Sequence, residues 1–242
     1  VSSVRRTRKF WFERYRWGIV GPGRLIVGGR DARGNDAVVK KHLSTGDLYI
    51  HADLHGAASC ALKRVDGLEL EEDYDVSSEG VCKFRIVQSI NGAPEDLQML
   101  SDDEKKEAAA LAACWSRAWG AGSAAATAFH VRPSQVSKAT ESGEALGRGS
   151  FVVRGTRGWH RDLVLKMAIG LGTVNGIPMP VPGSISAISN SCKRWAEIIP
   201  GRKKKEDLAR RISKATGLDH GEVLAALPSG TCDLIDHGLL GS

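Results

Sequence analysis

The sequence predicts an α+β fold: a mixed, largely antiparallel sheet with packed helices, plus a smaller C-terminal α/β extension. Three observations carry that expectation. Strand-like and helix-like stretches are interspersed, without the strict alternation of a doubly wound parallel sheet. Gly21-Pro22-Gly23 stands between two short apolar runs, the pattern of a hairpin. Ser101-Asp102-Asp103-Glu104 is a capping box opening an Ala-rich helix, in which serine and glutamate each satisfy the other's unpaired backbone N–H. A chain of 242 residues can bury a core that needs no staples. We expect a main domain over residues 1–175 and a basic C-terminal extension over 176–242 with one or two short helices.

The chain opens with VSSVRRTRKFWFERYRW. Arg5, Arg6, Arg8, Lys9, Arg14 and Arg16 face only Glu13, with Phe10, Trp11, Phe12, Tyr15 and Trp17 threaded between them. Two readings follow: aromatics docking into the core beneath solvated arginines, or cations on phosphates with rings stacked on unpaired bases. The aromatics suit the core and the arginines suit RNA.

After the hairpin over Gly18 to Val27 comes the unit around which the rest is organised, GGRDARGNDAVVKKHLSTGDLYIHADLHGAAS, residues 28–59. Asp31 can cap a helix, since its carboxylate accepts from N–H groups that a helix start leaves unpaired. Ala37, Val38, Lys40, Lys41 and Leu43 then form a short helix with one apolar and one cationic side. Ser44-Thr45-Gly46 stops it, and Asp47 to His51 alternates like a half-buried strand. That strand delivers His51, Asp53 and His55 to a polar turn.

Ser59 to Arg64 is a further strand. Glu69 to Glu79 holds six carboxylates and no lysine or arginine, and reads as a solvated loop turned from any anionic ligand. The helix opened by Ser101 runs to Trp119 and stops at Gly120; Leu111, Ala112, Trp115, Ala118 and Trp119 share one face at helical spacing, a core stripe. Thr127 to Arg132 is a strand broken by Pro133, followed by a polar stretch from Ser134 to Gly149. Phe151 to Arg154 and Leu163 to Leu171 return to strand character. Met179 to Gly183 is a Pro-rich joint, Ile185 to Ser191 a short helix and Trp195 to Ile199 a strand. Helices follow from about Lys204 to Thr216, with Glu206 and Asp207 at the positive end, and from Glu222 to Leu227.

A net charge of +6 leans towards an anionic partner, and its distribution matters more than its total. Five cysteines lie far apart with no C-x-x-C pair, which argues against a disulfide framework and a zinc site. No signal peptide is present and no apolar run approaches the roughly 20 residues of a membrane helix, so a soluble, cytoplasmic protein is expected. Val1 opens abruptly in a basic run, as the tail end of a longer polypeptide would.

His51-Ala52-Asp53-Leu54-His55 offers three metal-type ligands on one side of a strand end, a spacing also common by chance. Ser59, Ser134, Ser137 and Ser150 sit in no nucleophile elbow. Gly28-Gly29-Arg30-Asp31 precedes a helix but lacks the phosphate-loop lysine, so it implies backbone contact with phosphate rather than nucleotide hydrolysis, and no cofactor motif appears. Arg132-Pro133-Ser134-Gln135-Val136-Ser137-Lys138 is dense in donors suited to phosphate and ribose oxygens. The predicted contacts are therefore Arg30, Lys40, Lys41, Arg132, Gln135, Lys138 and Arg154, with Asp31, Asn35, His51, Asp53 and His55 shaping the site. The competing reading is an RNA-processing metalloenzyme built on His51, Asp53 and His55.

WFERYRW, GGRDARGNDAVVKKHL, GDLYIHADLHGAAS, CWSRAWG, VRPSQVSK and GEALGRGSFVVRG, in this order, resemble the NFACT-R domain of the NEMF/Caliban/FbpA family. IIPGRKKKEDLARRI is similar to the tail of archaeal members. The resemblance implies a non-enzymatic module of a ribosome-associated quality-control factor. Family members bind a large ribosomal subunit that still holds peptidyl-tRNA after a stall, favour tRNA carrying alanine, and support an untemplated C-terminal tail on the nascent chain. The implied partners are tRNA and ribosomal RNA of the large subunit. The family's N-terminal domain, helix-hairpin-helix part and coiled coil do not fall within this sequence, and that N-terminal half is a further expected partner.

Overall fold

Arg16–Val20 (β1) and Arg24–Gly28 (β2) form the predicted hairpin in the computed structural model, with Arg16 opposite Gly28 and Val20 opposite Arg24. The structure describes residues 6, 8–71, 80–87, 99–140 and 142–241. The turn needs its glycines: Gly23 takes φ +120°, and a Cβ there would meet the Leu68 carbonyl oxygen at 2.0 Å. Successive residues of the hairpin point to opposite faces. Val20 and Ile26 enter one core cluster, Ile19 and Val27 another. The sheet is thus covered on both sides.

Asp31 caps helix α1 (Ala32–Ala37) by accepting the Gly34 N–H, and the helix continues into a wider turn over Val38–His42. Strand β3 (Leu48–Ala52) follows, then the long β4 (Cys60–Leu70), which pairs with β2 on one side and β3 on the other. Strand β5 (Cys82–Val87) pairs with β4. Of the acidic stretch, Glu69 and Leu70 end β4, whereas 72–79 lie outside the described residues.

The helix opened by the Ser101 capping box is broken into α2 (Asp102–Cys114) and α3 (Arg117–Gly120). Ser116 takes extended backbone there; its hydroxyl donates to the Ala113 carbonyl and accepts from the Ala118 N–H, so one side chain ends one helix and starts the next. The predicted stripe of Leu111, Ala112, Trp115, Ala118 and Trp119 is buried. The N-terminal aromatics Phe12, Tyr15 and Trp17 are buried too, in the cluster on the other face of the sheet.

Strand β6 (Ala125–Val131) pairs with β3, and β9 (Gly158–Val164) pairs with β6 and ends the sheet. Between them, β7 (Val136–Ser137) and β8 (Val152–Val153) form a separate two-stranded sheet. The expected strand from Leu163 to Leu171 is two strands, β9 and β10 (Met167–Val174), interrupted at Leu165 and Lys166.

The Pro-rich joint is a strand as well, β11 (Ile177–Gly183), paired antiparallel with β10 over its whole length. Pro178, Pro180 and Pro182 occupy alternate positions, which sets all three ring nitrogens on one edge and leaves the other edge free to complete the ladder with β10. Composition alone suggested a break because proline removes a donor.

Helix α4 (Ile185–Ser191) matches its predicted span. Strand β12 (Trp195–Lys203) runs further than expected, through a bulge between Pro200 and Lys203, and pairs with the unanticipated β13 (Cys232–His237). Helices α5 (Lys205–Thr216) and α6 (His220–Ala226) lie between them in sequence, and Leu208, Ile212 and Val223 join the cluster that holds Trp119. The large sheet has the order β13-β12-β10-β11-β1-β2-β4-β3-β6-β9, with β5 paired to β10 and β4. Among the described strands, parallel pairing joins β1 with β11 and β5 with β10, and an isolated parallel bridge joins Trp195 to Gly238. This is the mixed, largely antiparallel α+β architecture expected.

One cysteine expectation needs correction. Cys82 on β5 and Cys192 after α4 form a disulfide with Cα atoms 5.1 Å apart, although 110 positions separate them in sequence. Spacing could not reveal it, because the sheet brings the two together through β10.

Candidate functional site

Gly28 to Ser59 folds into one wall of a cleft of about 630 Å³. The wall begins at Gly29, where a Cβ would meet the Asn35 Oδ1 at 2.1 Å and the Asn35 backbone nitrogen at 2.4 Å. Only glycine lets the chain pass that close beneath α1. Asn35 Oδ1 in turn accepts the Ser59 N–H at 2.9 Å, tying α1 to the start of β4. Tyr49 donates to or accepts from the Ser59 hydroxyl at 2.9 Å, and burial holds its phenol well above the ordinary range. The Tyr49 and His51 rings lie parallel at 6.1 Å, and the His51 ring is 5.9 Å from Phe129. Burial lowers the His51 pKa, which favours the neutral imidazole.

Four arginines line the cleft, Arg16, Arg30, Arg148 and Arg157, against two carboxylates, Asp31 and Asp53. Asp31 is engaged at the α1 cap. Arg30 donates to the carbonyls of Tyr15 and Ala225, each at 3.1 Å, and Arg16 donates to the Ser229 hydroxyl. Residues around α6 therefore aim both guanidiniums. Burial lowers the pKa of both, and Arg30 further depresses that of Arg16. Among the described residues none of the four arginines is ion-paired with a carboxylate. Such an arrangement accepts an anion: a phosphate near Arg16 and Arg30 relieves their mutual repulsion.

The cleft gathers six of the predicted residues: Arg30, Asp31, Asn35, His51, Asp53 and His55. The other six lie outside its lining. Lys40 and Lys41 are exposed on the wide turn after α1. Arg132 is exposed, and its backbone N–H donates to Gln135 Oε1. Gln135 Nε2 is committed to the Arg154 and Thr156 carbonyls, and the Arg154 guanidinium to the Ala139 carbonyl. Lys138 is a pin: its ammonium bonds Asp36 at 2.7 Å, the Gly147 carbonyl at 2.8 Å and the Ser150 carbonyl at 3.1 Å, and sits 4.6 Å from the Phe151 ring centre. It fixes the loop that carries Arg148.

The His51, Asp53 and His55 turn is held by its backbone. The Asp53 N–H donates to the Thr127 carbonyl, and Arg117 donates to the His55 carbonyl. Among the described residues no three histidine, cysteine, aspartate or glutamate side chains are grouped to hold a metal.

Sequence reasoning passed over Arg148, Arg157, Tyr49, Trp115 and Phe129 as cleft residues, and placed Arg16 only in the basic N-terminal run. Arg157 had a readable signal in Arg157-Gly158-Trp159, a cation beside an exposed aromatic. Arg148 had none beyond its glycine neighbours.

Residues 9–155 match the family model described as the NFACT protein RNA binding domain. The chain is 29% identical over 237 residues to the archaeal Rqc2 homolog aRqcH of Methanocaldococcus jannaschii, covering 97% of this chain and 30% of that protein. It is 36% identical over 168 residues to the ribosome quality control complex subunit NEMF of Homo sapiens, covering 69% of this chain and 13% of that protein. The chain thus spans about a third or less of these relatives' length.

Proposed function

The chain belongs to the NFACT RNA-binding domain family, and from that premise we propose that it binds tRNA and large-subunit ribosomal RNA as a non-enzymatic module of a ribosome-associated quality-control factor. The observation that carries this reading is the cleft, where four arginines without carboxylate partners surround buried and half-buried rings. Arginine forks suit phosphate oxygens and the rings suit base or ribose faces. In this reading Arg16, Arg30, Arg148 and Arg157 contact the backbone of the RNA. Asp31, Asn35, His51, Asp53 and His55 shape the cleft, while Lys40, Lys41 and Arg132 give outlying contacts. Gln135, Lys138 and Arg154 act by holding the neighbouring loops.

Stalled peptidyl-tRNA on the large subunit is the substrate complex we infer, and support of C-terminal tailing is the task of the longer assembly. Both extend the family resemblance; the relatives' names support the ribosome quality control setting, one of them being a ribosome quality control complex subunit. No helix among the described residues is long and apolar enough to cross a membrane.

The test is titration of tRNA against the purified chain at two salt concentrations. Each neutralised phosphate releases counterions, so affinity falls linearly in log salt. The double substitution Arg148→Ala with Arg157→Ala is expected to reduce the slope by between one and two. Absence of binding at low salt, or binding with no salt slope, ends the reading.

A further inference from the structure

Phe129 closes one side of the cleft and opens a second feature outside it. Its ring meets that of Trp159 edge to face at 5.4 Å, because the two are cross-strand partners on β6 and β9. The Arg157 guanidinium lies 4.9 Å from the Phe129 ring centre and 5.8 Å from that of Trp159. Arg161 covers Trp159 from its other neighbour position, at 5.6 Å. The result is a line of alternating rings and guanidiniums leading out of the cleft.

The strand period explains how the line forms. Arg157, just before β9, and Trp159 and Arg161 within it lie towards one face, while position 160 faces the other way. There the His160 ring bonds His130 at 2.8 Å. Strand β9 ends the sheet, so the ring-bearing face lies at its open border. Trp159 keeps 39% of its surface exposed. Among the described residues neither Arg157 nor Arg161 is ion-paired, so each lies on a ring while its positive charge stays open to another anion.

A single exposed tryptophan is ordinary on a protein surface. Here it is flanked by two unpaired cations and is contiguous with an anion-accepting cleft, which is the combination that single-stranded nucleic acid requires: stacking faces beside a cationic track. A duplex hides its base faces and cannot use the tryptophan.

We propose that the ligand is unpaired RNA, which leaves the cleft past Phe129 and stacks a base on Trp159 while Arg157 and Arg161 hold the phosphates on either side. This deepens the RNA-binding reading and rests on it. Loops, bulges and single-stranded ends of a folded RNA are then the segments recognised, and continuous helix is not.

The experiment uses the full 242-residue chain with a fluorescein-labelled ten-nucleotide RNA of mixed sequence, alone and annealed to its complement. Trp159→Ala is expected to weaken the single strand by about fivefold or more, the lower end of a stacking loss, and to leave the duplex within twofold. Trp159→Phe, which keeps a ring, is expected to restore most of the loss. Arg161→Ala is expected to lower the single-strand salt slope by roughly 0.7. Because Trp159 is partly exposed, thermal melting of the variants is expected to stay near that of the parent chain. Equal loss for strand and duplex, or no loss for either, overturns the strand path while leaving RNA binding intact. Failure of the parent chain to bind either RNA overturns the underlying reading as well.

Discussion

Asn35 Oδ1 accepts the backbone N–H of Ser59 at 2.9 Å, so the first turns of α1 and the start of β4 are held together directly beneath the cleft. Ser59 is 2% exposed. Asn35→Ala leaves a buried donor unpaired, at a cost of about 1–3 kcal/mol. The melting temperature should drop by several degrees, and Asn35→Asp, which keeps an acceptor, should recover part of it. An unchanged melting temperature in the alanine variant would show that the bond contributes nothing.

Lys138 and Arg148 separate loop support from ligand contact. Lys138 bonds two carbonyls and Asp36 around residues 147–151. Lys138→Ala is expected to weaken tRNA binding severalfold with the salt slope unchanged, whereas Arg148→Ala should lower the slope by about one. Slopes measured from fluorescence titrations at four salt concentrations decide this. A reduced slope for Lys138→Ala would make it a phosphate contact.

His130 and His160 should make stability fall in acid. Their bond at 2.8 Å requires a neutral acceptor nitrogen. Burial lowers both pKa values, and the second cationic ring and Lys105 lower that of His130 further, against the pull of Asp102. A histidine depressed in the folded state leaves the unfolded chain binding more protons. Stability is therefore full above the ordinary value near 6.5 and is lost as pH falls below it. Between pH 7.5 and 5 we expect the melting temperature to fall by several degrees, and His160→Asn to make that decline shallower. A variant curve parallel to that of the parent chain would exclude the pair as its source.

Trp119 joins α3 to the chain after α6. It is 1% exposed and its indole N–H donates to the Thr231 carbonyl at 3.0 Å. Trp119→Ala removes a large buried ring and should destabilise the fold by about 3–5 kcal/mol in denaturant titration. Trp119→Phe keeps much of the volume and loses only the donor, so a smaller cost is expected. Equal costs would mean that the hydrogen bond, not the packing, carries the effect.

Local chemistry was legible wherever a few neighbouring residues decide the outcome. The Asp31 cap, the Gly21-Pro22-Gly23 turn, the Ser101 box and the Leu111 to Trp119 stripe are all set within one or two turns of chain. What escaped was set by distance. Strand β13 is needed only because β12 has an open edge, and the Cys82–Cys192 bond exists only because β10 brings its ends together. The cleft was half legible for the same reason. Arg30 and His51 lie within one continuous stretch of sequence, but Arg148 and Arg157 arrive from 97 to 127 positions away, and Ala225 and Ser229 position Arg30 and Arg16 from still further. Lys138 shows the same from the other side: a cation in a donor-rich run reads as a ligand contact, and the fold gives its ammonium Asp36 and two carbonyls of the neighbouring loop.

The alternate prolines of β11 have one more effect. With no N–H to offer on the edge away from β10, that strand meets β1 through a single register pair, Ile19 with Gly183, and the Ser184 N–H that reaches the Ile19 carbonyl at 2.9 Å. The seam itself is weakly stitched, but β5, paired to both β10 and β4, carries backbone pairing past it, so the strands from β10 round to β4 close into a ring. Parting at that seam is therefore checked by β5, and the cleft does not travel free of the far side, since Ser229 and Ala225 hold its Arg16 and Arg30.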